Sequence, residues 1–257
     1  MRQPEPLKMI KNVHIIARNI VGSLIAKTNY RLRHRKIAYK KLTGRGLEIG
    51  AMHHPAKLDS SCKVEYCDVI SAADAVKHFP EVGKVKFVEV DHLINLDTQC
   101  LSSFRDSTYD FVIMNHVIEH IANPIRVIED TFRILCPSGK LVLGVPDKRF
   151  NYDSARNLTS FNHFWREYQD QVTAVEDDHY LDFLRAVHPA TLALREKIQI
   201  HLDHARERRE HAHVWDSSSF KKFFVECLNR LEINANCVYE HTGNENGFEY
   251  FAMWEKA

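Results

Sequence analysis

Short apolar runs alternate with amphipathic stretches through the first half of this chain. Residues 47–49, 64–67, 86–90, 110–114 and 140–145 are dominated by Leu, Ile, Val, Phe, Met and Cys, and most are closed by a glycine, an acid or a proline. Between them the period lengthens to that of a helix. Ser71 is placed to cap a helix reaching Phe79, where Pro80 ends it. Pro124 opens another that reaches Leu135, with Ile125, Ile128, Phe132 and Leu135 on one face. Such alternation of strand and crossover predicts an α/β architecture with a doubly wound, mostly parallel sheet.

After residue 150 the pattern changes. Residues 151–212 are polar, helical in period and rich in aromatics and histidine, with no clear strand. Ser217 is placed to cap an amphipathic helix through Leu228. Two strand-like runs, 232–239 and 249–254, flank the turn-rich Thr242-Gly243-Asn244-Glu245-Asn246-Gly247. Upstream, residues 7–41 read as two helical stretches parted near Thr28-Asn29. The expected organisation is a helical amino-terminal arm over 1–43 and one domain over 44–257, with 151–212 inserted as a helical lid over an acceptor.

Composition fits a globular protein: 257 residues, 44% hydrophobic and 27% charged. The six cysteines form no CxxC pair, and no clear small-residue cleavage site follows the early apolar stretch, so a reducing, cytoplasmic setting is expected. The net charge of +1 conceals an asymmetry. Residues 1–45 carry twelve Lys/Arg and one acid, Glu5, a net +11, and the remainder carries 23 basic and 33 acidic residues, a net −10. A basic arm on an acidic body suits an anionic partner surface. Residues 13–26 are broken by Arg18 and Asn19 and cannot span a bilayer, but Ile15, Ile16, Ile20, Leu24 and Ile25 suit an arm (residues 1–41) lying on an anionic membrane.

The candidate chemistry gathers at the carboxyl ends of the strands, where open parallel sheets bind ligands. Gly50 follows the first strand and allows a sharp turn close to a ligand. Glu48 precedes it and can order that turn or accept from an ammonium. Asp68 ends the second strand, suited to two ribose hydroxyls, and Asp91 ends the third, suited to an adenine amino group. Each feature alone is ordinary. Their order along one sheet edge is informative.

Leu47-Glu48-Ile49-Gly50-Ala51, Asp68, Tyr109-Asp110-Phe111-Val112-Ile113, His116-Val117-Ile118-Glu119-His120 and Leu135-Cys136-Pro137-Ser138-Gly139-Lys140-Leu141-Val142-Leu143 together resemble the class I S-adenosylmethionine-dependent methyltransferases, nearest their small-molecule and glycan-modifying branch. The resemblance covers residues 44–150 and, more weakly, 211–256. It implies a seven-stranded Rossmann-like sheet with an antiparallel last strand and S-adenosyl-L-methionine as cofactor. Carried over by position, Glu48, Gly50 and Ala51 would hold the methionine moiety. Asp68 would bind the ribose and Val69 the adenine, with Asp91 and His92-Leu93 nearby. Asn115, His116 and Val117 would line the sulfonium. One departure is Met52, where many members carry a second glycine.

A hydroxyl acceptor would need a base. Asp147, after the fifth strand, His213, beside Trp215, and His120 are the candidates, with Lys148 or Arg149 to grip an anionic acceptor. His116 and His120 flank Glu119, but this is not the His-Glu-x-x-His order and no third ligand is evident, so no metal is expected. The expected activity is O-methylation of a sugar or glycan-type acceptor. An RNA methyltransferase using the basic arm, or a degenerate fold kept for interaction, are the alternatives. Nucleic acid is disfavoured by the acidic body, and a dehydrogenase by the incomplete glycine fingerprint.

Overall fold

The computed structural model describes residues 32–257, apart from 84 and 194–196. Of the arm predicted over residues 1–43, residues 1–31, including the amphipathic stretch 13–26, lie outside the described residues. Seven strands form one sheet: β1 Gly44–Ile49, β2 Cys62–Asp68, β3 His92–Leu93, β4 Tyr109–Asn115, β5 Leu135–Pro146, β6 Ala235–His241 and β7 Glu249–Lys256. Their spatial order is β3-β2-β1-β4-β5-β7-β6. The first five run parallel, and β7 enters antiparallel between β5 and β6, so the expected Rossmann-like sheet with an antiparallel last strand is present.

The central strands are covered on both faces, which is why they read as near-continuous apolar runs. Along β4 and β7 the side chains alternate between two cores. Val112, Met114, Tyr250, Ala252 and Trp254 join one, while Phe111, Ile113, Phe251 and Met253 join the other. Helix α3, Pro124–Ile134, covers the first core with Ile125, Val127, Ile128 and Phe132. Asn123 caps it by accepting from the Arg126 N–H at 3.1 Å. Helix α7, Ser217–Arg230, adds Phe220, Phe223, Phe224 and Cys227 to the same side. The opposite face is covered by Ala38 and Tyr39 of α1, Arg33–Tyr39, with Leu42 just beyond. Helix α2, Ala72–His78, is capped as expected by Ser71, whose hydroxyl accepts from the Asp74 N–H at 3.1 Å.

Three expectations are corrected. Residues 86–90 do not form the third strand. The Val88 N–H donates to the Met52 carbonyl at 2.8 Å, and the edge strand is only His92–Leu93. Asp91 therefore precedes β3 instead of ending it. Ser217 is the first residue of α7 and not its cap. Asp216 is the cap, in a reciprocal pair with Ser219, because the Ser217 hydroxyl is already engaged by Asp147. Finally, the fifth strand is longer than the run 140–145: β5 begins at Leu135, and Pro137-Ser138-Gly139, with Ser138 at φ +61°, lies where its pairing with β4 shifts register between Tyr109 and Phe111.

The region after β5 carries α4, Phe161–Gln169, α5, Asp177–Val187, and α6, Ile198–Glu207. Tyr180, Phe183, Leu184, Leu202 and Ala205 form a small core of their own there. A short helix, α8, Gly243–Asn246, links β6 to β7. All six cysteines are free thiols. No helix among the described residues is long and apolar enough to cross a membrane.

One buried group ties α1 to the sheet. Glu249, fully buried at the start of β7, accepts from Arg35 Nε at 2.7 Å and from Arg35 Nη2, and bonds His34 Nε2 at 2.7 Å and His116 Nε2 at 2.8 Å. Removing one member of such a set leaves an uncompensated charge in the interior. Glu249→Ala is expected to lower the unfolding free energy by about 3–5 kcal/mol in urea titrations. Adding Arg35→Met should restore part of that loss. A double variant no more stable than the single one would show that the pair is not coupled.

Candidate cofactor cleft and acceptor wall

The carboxyl ends of β1, β2, β4 and β5 converge on one edge of the sheet. Gly50 leaves β1 at φ +71°, and its N–H donates to the Cys67 carbonyl at 2.9 Å. A Cβ there would lie 2.5 Å from Val117 Cγ2, so glycine also permits the turn after β4 to close on the turn after β1. Met52 adopts φ +47°, the left-handed conformation that a glycine takes readily. The second-glycine position thus keeps its backbone shape at a modest conformational penalty. Buried Glu48 receives the Ala56 N–H at 2.9 and 3.0 Å on its two oxygens, closing the loop from Ala51 to Ala56. Burial raises its pKa to about 7.

Asp68 closes β2. One carboxylate oxygen accepts from the Val69 N–H at 2.7 Å, and the other takes no hydrogen bond from the described residues. Burial pushes its pKa up. Val69 beside it is 41% exposed, an apolar surface at the crevice rim. Asp91 stands apart: its carboxylate accepts from the Tyr66 N–H at 2.8 Å, and its own N–H donates to the Tyr66 carbonyl. It acts as a substitute rung on the edge of β2, on the amino side of β3, and the residues at the crevice end of β3 are Leu93, Ile94 and Asn95.

At the end of β4, Asn115 donates through Nδ2 to the Tyr39 hydroxyl at 3.0 Å, while its buried Oδ1 has no partner. His116 turns at φ +55°, bonds Glu249 and stacks on Phe248 with centroids 4.9 Å apart. Glu119 is fully buried, and neither carboxylate oxygen has a hydrogen-bond partner. Around its Oε1 stand His116 Nδ1 at 3.8 Å, His120 Nε2 at 3.8 Å and His211 Nε2 at 3.9 Å. Glu119, His120 and His211 could hold a metal ion. The third donor, unseen in the sequence, arrives from 91 residues beyond His120. His211 is oriented by Asp153, whose Oδ2 lies 2.6 Å from Nδ1. His120 faces the Arg209 carbonyl through Nδ1, and burial lowers its pKa to about 3, so its ring is neutral near pH 7.

Two expected bases are not available as such. Asp147 is fully buried, and its oxygens accept from Arg149 Nε at 2.9 Å, Arg149 Nη2 at 2.6 Å, the Ser217 N–H at 2.9 Å and the Ser217 hydroxyl at 2.7 Å. Burial alone would raise its pKa, but the bonds from Arg149 and Ser217 outweigh it and hold the group below the usual carboxylate value. It anchors the start of α7. His213 is 1% exposed and faces His163, Glu167 and His179 instead of the crevice. Of the three, His120 alone reaches the end of β4. Phe150 and Tyr152, 41% and 40% exposed, stand on the segment after β5, with Tyr152 4.8 Å from the His211 ring. A separate cavity of about 610 Å³ opens at Arg45, Glu65, His92 and Tyr109. It lies toward the start of β1 and β4, away from the carboxyl edge of the sheet, and Arg45, His92 and Tyr109 are all paired with Glu65.

A family of proteins described as a methyltransferase domain matches residues 23–226. An uncharacterised protein of Methanocaldococcus jannaschii, MJ1123, is 28% identical over 105 residues, which is 41% of this chain and 46% of that protein. The chain thus matches less than half the length of that relative. Among solved structures, the PH0226 protein of Pyrococcus horikoshii OT3 is 15% identical with a TM-score of 0.48, covering 90% of this chain and 91% of that one. A SAM-dependent methyltransferase from Aquifex aeolicus is 12% identical with a TM-score of 0.47, covering 93% and 98%. With the match spanning most of its length, this chain belongs to the methyltransferase-domain family.

Proposed function

We propose that this protein is an S-adenosylmethionine-dependent methyltransferase that methylates a hydroxyl of a sugar or glycan-type acceptor. The observation that carries the cofactor reading is the cleft edge itself. Gly50 and Val117 close two strand ends on each other, and Asp68 presents a carboxylate oxygen left over from its own turn. In this reading the ribose hydroxyls donate to Asp68, Val69 meets the adenine, and the loop from Ala51, fastened by Glu48, holds the methionine part. Asn115, His116 and Val117 face the sulfonium. Asp91 is left out, since its carboxylate already serves the backbone of β2.

The sulfonium is activated before it binds, so the chain's task is to align the acceptor oxygen in line with the methyl group and exclude water. His120, the candidate base at the end of β4, is neutral near pH 7, and with a pKa of about 3 it is a weak base, suited to accept a hydrogen bond from the acceptor hydroxyl and not to hold its proton. Exposed Phe150 and Tyr152 offer aromatic faces to a pyranose ring, and Arg149 beside them supports an anionic acceptor. The +11 charge of residues 1–45 supports work at an anionic membrane surface.

Calorimetry should register S-adenosylhomocysteine binding to the full chain, weakened about 10- to 100-fold in Asp68→Ala, as expected for hydrogen bonds to a charged group. Absence of any binding heat with the wild type would sink the cofactor reading. The acceptor is tested by homocysteine release with nucleotide sugars and free oligosaccharides. Turnover on an RNA transcript alone would replace the sugar reading.

A stability measurement checks the electrostatics of the Glu48 loop. Folded Glu48 keeps its proton up to about 7, while an unfolded glutamate loses it near about 4.3. Between these values the unfolded chain binds fewer protons, so stability falls as pH rises. Relative to Glu48→Gln, the wild type is expected to lose on the order of 2–3 kcal/mol from about pH 4.5 to 7.5. A difference in urea midpoint that stays flat across that range would contradict this.

A further inference from the structure

Four side chains with electron-pair donors converge inside the helical region after β5. His163 and Glu167 stand one turn apart on α4, His179 is on the first turn of α5, and His213 is on the extended segment before α7. His163 Nε2 lies 2.9 Å from Glu167 Oε1, His179 Nε2 lies 3.1 Å from the same oxygen, and the two imidazole nitrogens are 3.2 Å apart. His213 Nε2 lies 3.7 Å from Glu167 Oε2. Ligand atoms bound to one tetrahedral Zn²⁺ at about 2.0–2.1 Å stand about 3.3 Å from one another. The 2.9–3.2 Å separations among His163, His179 and Glu167 Oε1 are close to that edge length, and one donor atom from each of the four residues lies within 4.8 Å of the others.

Hydrogen bonding alone does not satisfy this group. Both ring nitrogens of His213 and the Oε2 of Glu167 are buried and have no hydrogen-bond partner. Buried polar atoms in folded proteins are nearly always paired, and His213 Nε2 and Glu167 Oε2 face each other at 3.7 Å inside the cluster, so these two call for a further ligand. The tautomers also agree. His179 Nδ1 faces the Ala212 carbonyl at 3.0 Å, which fixes the proton on Nδ1 and leaves the Nε2 lone pair free for coordination. Phe164 and Trp215, stacked at 4.9 Å, wall the cluster from one side.

We propose that His163, Glu167, His179 and His213 form a structural Zn²⁺ site that fastens the helical insertion to the methyl-transfer side of the crevice. Four protein ligands close the coordination shell, as in structural sites. The connection to the crevice is short: the N–H groups of Ala212 and His213 donate to the Glu119 carbonyl at 2.9 and 3.1 Å, and His211, two residues before His213, lies 3.9 Å from the Glu119 carboxylate. The small apolar core of the insertion, five buried residues, is the kind of core that a metal supplements.

The test uses the full chain purified without chelator or affinity histidines, with metal content measured by mass spectrometry. About one zinc per chain is expected in the wild type and less than about a tenth in His163→Ala, the variant at the most exposed ligand. Chelation should lower the melting temperature of the wild type by several degrees and leave His163→Ala unmoved. Replacement by Co²⁺ should give the intense visible bands of a four-coordinate ion, absent in the variant, which reports on the site even if Glu167→Gln or His213→Ala fails to fold. A wild type that neither carries zinc nor shifts its melting temperature with added Zn²⁺ overturns the proposal. So does zinc that survives His163→Ala but is lost in His211→Ala, since the ion would then belong to the cluster around Glu119.

Discussion

A buried carboxylate at the start of β7 sets the geometry around it. Glu249 has no access to solvent, and ionised carboxylates are tolerated in the interior only when fully paired. Arg35, His34 and His116 supply those partners from two distant segments, one before the sheet and one at the end of β4. Meeting that demand clamps α1 over the sheet and holds His116 in a left-handed turn. It also fixes Gly144 as a residue without a side chain. A Cβ there would come within 2.7 Å of Asn115 Oδ1, 2.9 Å of Glu249 Oε2 and 3.2 Å of Arg35 Nη2. The wall that would face the sulfonium is therefore shaped by an ion pair that lies behind it.

The two histidine clusters share a backbone. Residues 211–215 run beside the turn after β4 without regular secondary structure, with His211 facing Glu119 and His213 facing Glu167. The segment is held by Arg156, whose guanidinium donates to the carbonyls of His211 and Ala212 while pairing with Asp153. Movement of the insertion would thus be felt at Glu119 through two hydrogen bonds and one imidazole. That coupling gives the region after β5 a means of shaping the crevice without lining all of it.

Much of the central sheet could be read from the chain because its strands are buried on both faces and leave unbroken apolar runs. β1, β4 and β5 are the clear cases. The third strand could not, since a two-residue edge strand leaves no pattern, and the apolar run 86–90 is used to meet the turn at Met52. At the site, Gly50 and Asp68 were legible because strand ends advertise themselves by a glycine or an acid. Asp147 looked like a base for the same reason, and only its partners reveal it as the anchor of α7. The cap lies one residue before Ser217, because Asp216 accepts from the Ser219 N–H while the Ser217 hydroxyl is held by Asp147.

Local pattern, then, determined the order of most elements and the doubly wound class, since periodicity and turn chemistry act over a few residues. Tertiary structure decided which charges are spent on the fold and which remain for chemistry. His116 meets Glu249 across 133 residues and His163 meets His179 across 16, and no short-range rule encodes such encounters. The reason is physical: a carboxylate or imidazole takes its charge state and its role from the groups packed around it, and those are chosen by the fold and not by its neighbours in sequence.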